Sequence, residues 1–320
     1  MVAREEGTFI NARQQKLFRV QYLTQGDPCA LVVFHTGIGE HVARYDHVFV
    51  RMAAAGLAVY AYDVHGQGKS EPKEAKYRCY VHDFEDLVMD LLQFVQLVLD
   101  AQPEGRMKSL PLLSVSQSLG GLVSCMASAR NPGIFSGIAL HSAAIDVEWT
   151  LTLKCQAPLG NCLAGCVPFA KIVPAVRPAD MSQDPQVVRE YLEDPLNYVD
   201  DVKARTGNEV LKGFKAMQKL RSKISVPLYA CHGTMDRCTS LQAVKDLLKA
   251  SSSQDKTLNE IPGGYHELLM GPEKEACIQR LVDWLVAHSV CAPGSVLDLA
   301  VTAGPAAGST APQDIQLAVQ

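Results

Sequence analysis

The sequence predicts an α/β fold, with a mostly parallel central sheet, helices on both faces and an inserted, largely helical cap. Three observations predict it. Short β-branched or apolar runs alternate with longer amphipathic ones from about residue 17 to residue 290. That alternation breaks once, between Ile145 and Gly207, in a stretch rich in Pro and Cys with no clean strand. The composition, 48 % hydrophobic and 20 % charged, is that of a globular chain rather than a disordered or fibrous one. At 320 residues a substantial core can be buried, and large α/β folds run past ~200 residues as one domain.

In chain order, the runs Leu17–Tyr22, Ala30–Phe34, Leu57–Tyr62, Leu112–Ser116, Gly137–Leu140, Pro227–Cys231 and Thr257–Ile261 read as strands. The run Asp83–Leu99 carries apolar residues at 84, 87, 88, 91, 92, 94, 95 and 98, a wide helical face suited to packing on a sheet. Leu119–Arg130, Leu241–Ala250 and Glu273–His288 read as helices on the same grounds. The expected organisation is a core in two parts, 1–144 and 208–291, interrupted by a cap at 145–207 and followed by a tail at 292–320. The tail holds seven Ala, three Gly, three Pro and only two charges, so no core face can form and disorder is expected.

Charge and composition exclude several functions. Net charge is −4 and no basic run exceeds two residues, so no nucleic-acid partner is expected. The N-terminal MVAREEGTFINARQQ is charged and has no apolar core, unlike a secretory leader. The uncharged stretch Cys155–Ala170 has 16 residues and contains Pro158, Gly160 and Pro168, too short and broken for a bilayer span of ~20 residues. The ten scattered cysteines read as free thiols, and the protein as cytosolic or membrane-peripheral.

Chemistry enters at LLSVSQSLGGL, which joins a strand to a helix. Within it Ser116-Gln117-Ser118-Leu119-Gly120 nearly matches G-x-S-x-G, the turn that holds a nucleophilic serine in a strained conformation. Residues two before and two after the serine must be small, because strand and helix backbones nearly touch there. Serine replaces the first glycine at 116. The Ser118 hydroxyl would project at the C-terminal edge of the sheet, where open α/β folds bind ligands, with the helix N-terminus behind it.

A serine nucleophile needs a base, and the base an orienting acid. Asp236 follows an apolar strand in PLYACHGTMDRC, and His266 lies in a Gly-rich loop after another strand in NEIPGGYHELL. Ser118, Asp236, His266 is the chain order of one known triad type. Asp146 is the rival acid, and His141, His232 and His288 are the other downstream histidines. An acyl-transfer site also needs two backbone N–H groups for the tetrahedral oxygen. Leu119, just after the nucleophile, supplies one. Ile38, between Gly37 and Gly39 in the loop after an early strand, is the candidate for the other.

These residues carry a resemblance. Gly37-Ile38-Gly39-Glu40-His41 with Arg44-Tyr45, then Asp63-Val64-His65-Gly66-Gln67-Gly68-Lys69-Ser70, then the serine turn, resemble the monoacylglycerol lipase and lysophospholipase family of serine hydrolases. Asp194-Pro195-Leu196, followed by Lys203, Arg205 and Thr206-Gly207, resembles the end of that family's cap. The likeness covers about residues 7–290. It implies an α/β-hydrolase fold and cofactor-free hydrolysis of monoacylglycerols or similar lipid monoesters such as lysophospholipids. It also implies Ser118 as nucleophile, Asp236 as acid, His266 as base, and Ile38 and Leu119 as oxyanion donors. The family has His-Gly before the oxyanion residue, where this chain has Thr36-Gly37 with a histidine one place earlier at His35. Two other outcomes stay open, namely an acyltransferase using the same acyl-enzyme and a degenerate homologue that only binds lipid or a partner.

From Trp149 to Val176 the only charges are Lys154 and Lys171. This segment is expected to line an acyl tunnel and to touch a membrane surface. Cys155, Cys162 and Cys166 lack a second close ligand pair, so no zinc site is expected and no metal or cofactor is needed. His65-Gly66-Gln67-Gly68 lacks the ending of a phosphate loop and is not read as one.

Overall fold

The computed structural model describes residues 2–103, 110–147, 149, 151–173 and 177–290. Ala3–Ile10 (β1) and Lys16–Leu23 (β2) form an antiparallel hairpin. Ala30–His35 (β3), Asp46–Ala54 (α1), Leu57–Tyr62 (β4) and Phe84–Asp100 (α2) follow. Leu112–Gln117 (β5), Leu119–Arg130 (α3) and Gly137–His141 (β6) complete the first half of the sheet. The next segment contains Leu151–Gln156 (α4), Gly160–Cys166 (α5), Lys171–Val173 (β7), Pro178–Met181 (α6), Pro185–Glu193 (α7) and Val202–Lys203 (β8). Ala204–Leu220 (α8), Leu228–Gly233 (β9), Leu241–Ala250 (α9), Lys256–Ile261 (β10) and Lys274–Ala287 (α10) then close the fold.

Eight strands make one sheet in the order β1-β2-β4-β3-β5-β6-β9-β10. Every pairing from β4 to β10 is parallel, and β2 alone runs the other way, antiparallel to both β1 and β4. Every strand and helix expected from the sequence is present, with ends shifted by no more than two residues. Side-chain alternation explains why the central strands are apolar throughout. In β3, Leu31 and Val33 join the layer that includes α2, α3, α8 and α9, while Ala30, Val32 and Phe34 join the layer of α1 and α10.

Three elements add to the sequence reading. β1 is mostly exposed and buries only Phe9, so its strand character comes from pairing with β2 rather than from its own pattern. α1 is short and buries Val48, Phe49, Met52 and Ala53. α8 begins at Ala204, so the expected boundary at residue 207 falls inside it, and it buries Phe214 and Met217 in the layer of α2 and α3. Between β6 and α8, β7 and β8 form a separate two-stranded sheet, and α5 packs on α8.

Cys29 is disulfide-bonded, which corrects the expectation that every cysteine is a free thiol. Cys29 lies just before β3, and its carbonyl accepts the Val290 N–H at 3.0 Å. The expected disorder of 292–320 concerns positions outside the described residues. Among the described residues no helix is long and apolar enough to cross a membrane.

Candidate active site

Ser118 sits between the end of β5 and the start of α3 with φ 51° and ψ −120°. A non-glycine residue there costs of order 1–3 kcal/mol and persists only when its surroundings enforce it. Here the Ser118 N–H donates to the His141 carbonyl at 3.0 Å, and the Ser118 carbonyl accepts from Gly121 at 3.0 Å and Ala144 at 2.8 Å. A side chain at Gly120 would overlap the His35 carbonyl oxygen and lie 2.6 Å from that of Thr36. That close approach presses α3 onto the end of β3. It also sets the loop after β3 beside the serine, where a Cβ on Gly37 would lie 2.9 Å from the Ser118 Cβ.

The loops after β9 and β10 bring Asp236 and His266 together. His266 Nδ1–H donates to Asp236 Oδ2 at 2.8 Å, and both side chains are almost fully buried. The other carboxylate oxygen of Asp236 accepts from the N–H groups of Cys238 at 2.8 Å and Thr239 at 3.0 Å. Thr239 Oγ1 adds a bond to Oδ2 at 2.9 Å. Burial alone would raise the Asp236 pKa, but the charge and hydrogen bond of His266, with His232 and the Thr239 N–H, hold it down at about 2. Burial likewise pulls His266 down, yet Asp236, with Glu267 and Glu40 behind it, lifts the imidazole to about 8. An ionised Asp236 can only accept, so Nδ1 carries the proton and, in the neutral ring, Nε2 is the nitrogen left without one. The His266 carbonyl is anchored by Ser142 Oγ at 2.7 Å.

The rivals lie elsewhere. Asp146 Oδ1 accepts from Val147 N–H at 2.8 Å and from Trp149 Nε1–H at 3.1 Å. The His141 ring is fully buried, and burial pushes its pKa down to about 3. His232 Nε2 lies 3.4 Å from Asp236 Oδ2, the oxygen that His266 holds at the shorter distance, and His288 stacks on Trp284 at 4.1 Å.

Ser118, His266 and Ile38 line one cavity, together with Glu40, Met181, Tyr191 and Glu267. Leu119 opens α3, where a helix leaves its N–H groups without internal partners. Glu40, one residue of the Gly37–His41 motif, holds the loop after β3 in place. One of its oxygens accepts the Gly37 N–H at 2.5 Å, and the other accepts from Tyr45 Oη and Arg44 Nη1, both at 2.7 Å. Arg44 also reaches Glu267 at 3.3 Å, and its guanidinium lies over the Tyr191 ring at 4.9 Å. Burial opposes the Arg44 charge, but Glu267 and Glu40 outweigh it and keep the group cationic. This buried pair of acids around one arginine ties the loop after β3, the His266 loop and α7 together. His41 Nε2–H adds a second tie, donating to Asp194 at 2.8 Å.

The acyl-tunnel expectation for Trp149–Val176 falls partly on positions outside the described residues. Of the described ones, Trp149, Leu151, Leu159, Val167 and Phe169 are exposed at the surface, and the cavity at Ser118 takes Met181 and Tyr191 from α6 and α7. Low charge in 149–176 is shared by a lining and by an outward apolar face, so the sequence could not separate them. Asp236, Cys238 and His266 bring possible metal-ligating atoms within 4.8 Å of one another. Burial, then the Asp236 charge, pushes the Cys238 thiol far above its ordinary pKa, so it stays protonated and is a poor ligand.

The parallel sheet and the strained serine between β5 and α3 are those of an α/β-hydrolase. The family model described as "Serine aminopeptidase, S33" matches residues 26–273. The monoglyceride lipase of Rattus norvegicus is 31 % identical over 290 residues, 89 % of this chain and 91 % of that protein. The monoacylglycerol lipase of Mycolicibacterium smegmatis is 28 % identical over 288 residues, 89 % of this chain and 98 % of that protein. Among solved structures, the monoacylglycerol lipase of Paleococcus ferrophilus superposes with a TM-score of 0.74 at 26 % identity, covering 85 % of this chain and 99 % of that one. A soluble variant of the Saccharomyces cerevisiae monoglyceride lipase, solved with a substrate analogue, shares the fold with a TM-score of 0.79 at 18 % identity, over 91 % and 97 % of the two chains. The chain belongs to the Serine aminopeptidase, S33 family and is a monoacylglycerol lipase-like α/β-hydrolase.

Proposed function

We propose that the protein cleaves the ester bond of monoacylglycerols, or of closely similar lipid monoesters, through a covalent acyl-enzyme. The observation that carries this is the 2.8 Å bond from His266 to an ionised Asp236, opening onto the cavity that holds Ser118. His266 Nε2 takes the Ser118 proton as Oγ bonds to the ester carbonyl carbon. The N–H groups of Ile38 and Leu119 hold the resulting oxyanion. As the tetrahedral species collapses, the C–O bond to the alcohol breaks and the imidazolium protonates that oxygen. Water then attacks the acyl-Ser118 ester by the same proton route, releasing a fatty acid. The charged and hydroxylated wall of Glu40, Tyr191 and Glu267 suits a polyol leaving group. Residues 145–207 act as a cap, with Met181 and Tyr191 reaching down to the serine.

The exposed Trp149, Leu151, Leu159, Val167 and Phe169 support peripheral contact of this cap with a lipid surface. A fluorophosphonate probe and a monoolein assay test the activity. Labelling and fatty-acid release that both disappear in Ser118→Ala are expected, and labelling that persists at Ser116 would overturn the assignment. Vesicle flotation tests the surface. Leu151→Glu with Val167→Asp should weaken flotation and leave hydrolysis of a water-soluble monoester unchanged. Equal flotation of both proteins would remove the membrane reading.

A further inference from the structure

The loop at His65-Gly66-Gln67-Gly68 is no phosphate site, and the triad makes no use of it. Its glutamine nonetheless reaches the loop after β3. Gln67 is buried, and its side-chain Oε1 accepts the N–H of Gly39, immediately after Ile38. On the other side of Ile38, Glu40 Oε1 accepts the N–H of Gly37 at 2.5 Å. The two N–H groups flanking Ile38 are therefore both engaged and tied down. Among the described residues no hydrogen bond engages the N–H of Ile38 itself, and Ile38 lines the cavity with Ser118.

We propose that Gln67 is a positioning residue for the oxyanion site: by clamping Gly39 it fixes the peptide that presents the Ile38 N–H to the reacting carbonyl oxygen. The inference rests on the reading of Ile38 as an oxyanion donor. The chemistry favours a neutral amide in this place. A carboxylate there would set a second negative charge beside a developing oxyanion, with Glu40 already present, whereas Gln67 supplies an acceptor without charge.

Gln67 is itself rigidly held. Its N–H donates to the Val64 carbonyl at 2.9 Å, and its carbonyl accepts from Ser70 at 2.9 Å. Gly39 has no freedom to move away, because the Tyr198 N–H donates to its carbonyl at 2.7 Å. Its φ of 80° and a Tyr198 carbonyl oxygen 2.8 Å from any added Cβ both require glycine there. The buried Cys79 sulfur also faces the Gly39 N–H, but sulfur is a weak acceptor and cannot replace the amide oxygen.

The test compares wild type with Gln67→Leu, which removes the acceptor at similar size, and Gln67→Glu, which keeps an acceptor and adds charge. The readout is affinity for a trifluoromethyl ketone with an acyl chain. This compound adds to the serine to give a hemiketal whose oxygen occupies the oxyanion site. A non-reactive ether analogue of the same chain serves as ground-state control. In Gln67→Leu the ketone should bind ~10–100-fold more weakly and kcat should fall in parallel, a part of the ~10²–10³ lost when an oxyanion donor is removed outright. KM and ether binding should stay within about twofold. Gln67→Glu should retain the thermal stability of wild type while ketone binding falls. Unchanged ketone affinity in both variants would overturn the proposal, as would equal losses for ketone and ether, which indicate a general packing role. Failure of wild type to form the hemiketal at all would instead defeat the hydrolase reading on which the proposal rests.

Discussion

The pH dependence of hydrolysis follows from the His266 environment and can be worked in advance. Burial disfavours the imidazolium, but Asp236 at 2.8 Å, together with Glu267 and Glu40, outweighs it and holds the pKa at about 8. The proposed base must be neutral to accept the Ser118 proton. With a pKa of about 8, ~1 % of the free enzyme is competent at pH 6, ~10 % at pH 7 and ~90 % at pH 9. A water-soluble monoester has no ionisable group, so its kcat/KM reports the free enzyme. It should climb ~100-fold from pH 6 to pH 9 and level off above about 8. Asp236, at about 2, stays ionised over this whole range. In Asp236→Asn the strongest lifting charge is gone while burial and the weaker pull of Glu267 and Glu40 remain, so the inflection should fall well below 8. The plateau should fall as well, by a factor of order 10⁴, because an amide no longer selects the Nδ1–H tautomer. Initial rates across pH 5.5 to 9.5 at constant ionic strength measure both. A wild-type inflection at or below about 6.5, or one that does not move in Asp236→Asn, would refute the reasoning. The same pair links to stability. A pKa raised from 6.5 to about 8 contributes about 2 kcal/mol that is fully present below pH 6.5 and lost as pH rises through 8. The stability gap between wild type and Asp236→Asn should therefore narrow across that window in urea titrations.

Further perturbations separate the roles of neighbouring residues. Ser118→Gly should be inactive yet more stable than wild type by about 1 kcal/mol, because glycine removes the cost of φ 51°; denaturant midpoints decide it. Asp146→Asn should keep kcat within about threefold of wild type, since Asp146 Oδ1 accepts from Val147 and Trp149 while His266 is held by Asp236, and a loss as large as that of Asp236→Asn would move the acid to the earlier strand. Gly120→Ala should cost more than about 3 kcal/mol or prevent folding, because the new methyl meets backbone carbonyls of His35 and Thr36 that cannot rotate away; expression and thermal melts report it.

Legibility in the sequence followed the range of the interactions. Strands such as Leu57–Tyr62 and helices such as Leu119–Arg130 have the observed bounds because each carries its own period and its own end signals. Ser118 was visible because its turn imposes small residues at fixed offsets. Asp236 and His266 were visible because both follow strands of a sheet whose C-terminal edge is shared. β1 was not visible, because Arg4, Glu5 and Glu6 are held extended only by the partner strand. Glu40 and Gln67 act through single hydrogen bonds to Gly37 and Gly39, and only the folded loop brings Gln67, 28 positions away, to Gly39. Met181 and Tyr191 reach the serine from short helices whose placement depends on ties such as Arg44 to Tyr191 and His41 to Asp194. No local pattern encodes those distances.

The two departures from the family pattern differ in their physical consequences. At position 116 serine in place of glycine is harmless to the turn. Ser116 pairs in register with His35 and Leu140, is wholly buried, and places its hydroxyl 3.4 Å from the Ala139 carbonyl, so the site holds a Cβ without displacing a neighbour. The severe approach falls instead at Gly120 and Gly121, where an added Cβ would meet the ends of β3 and the Ala143 methyl. The departure at Thr36 changes more. The histidine one place earlier, His35, is turned into the core against Tyr62 and donates from Nδ1 to the Thr36 carbonyl at 2.9 Å. Burial pushes its pKa down to about 4, so it is neutral at physiological pH and supplies no charge to the loop after β3. The loop is instead held from Glu40 on one side of Ile38 and from Gln67 on the other. Ile38, the proposed oxyanion donor, is thus fixed in this chain by side chains that flank it from different parts of the fold.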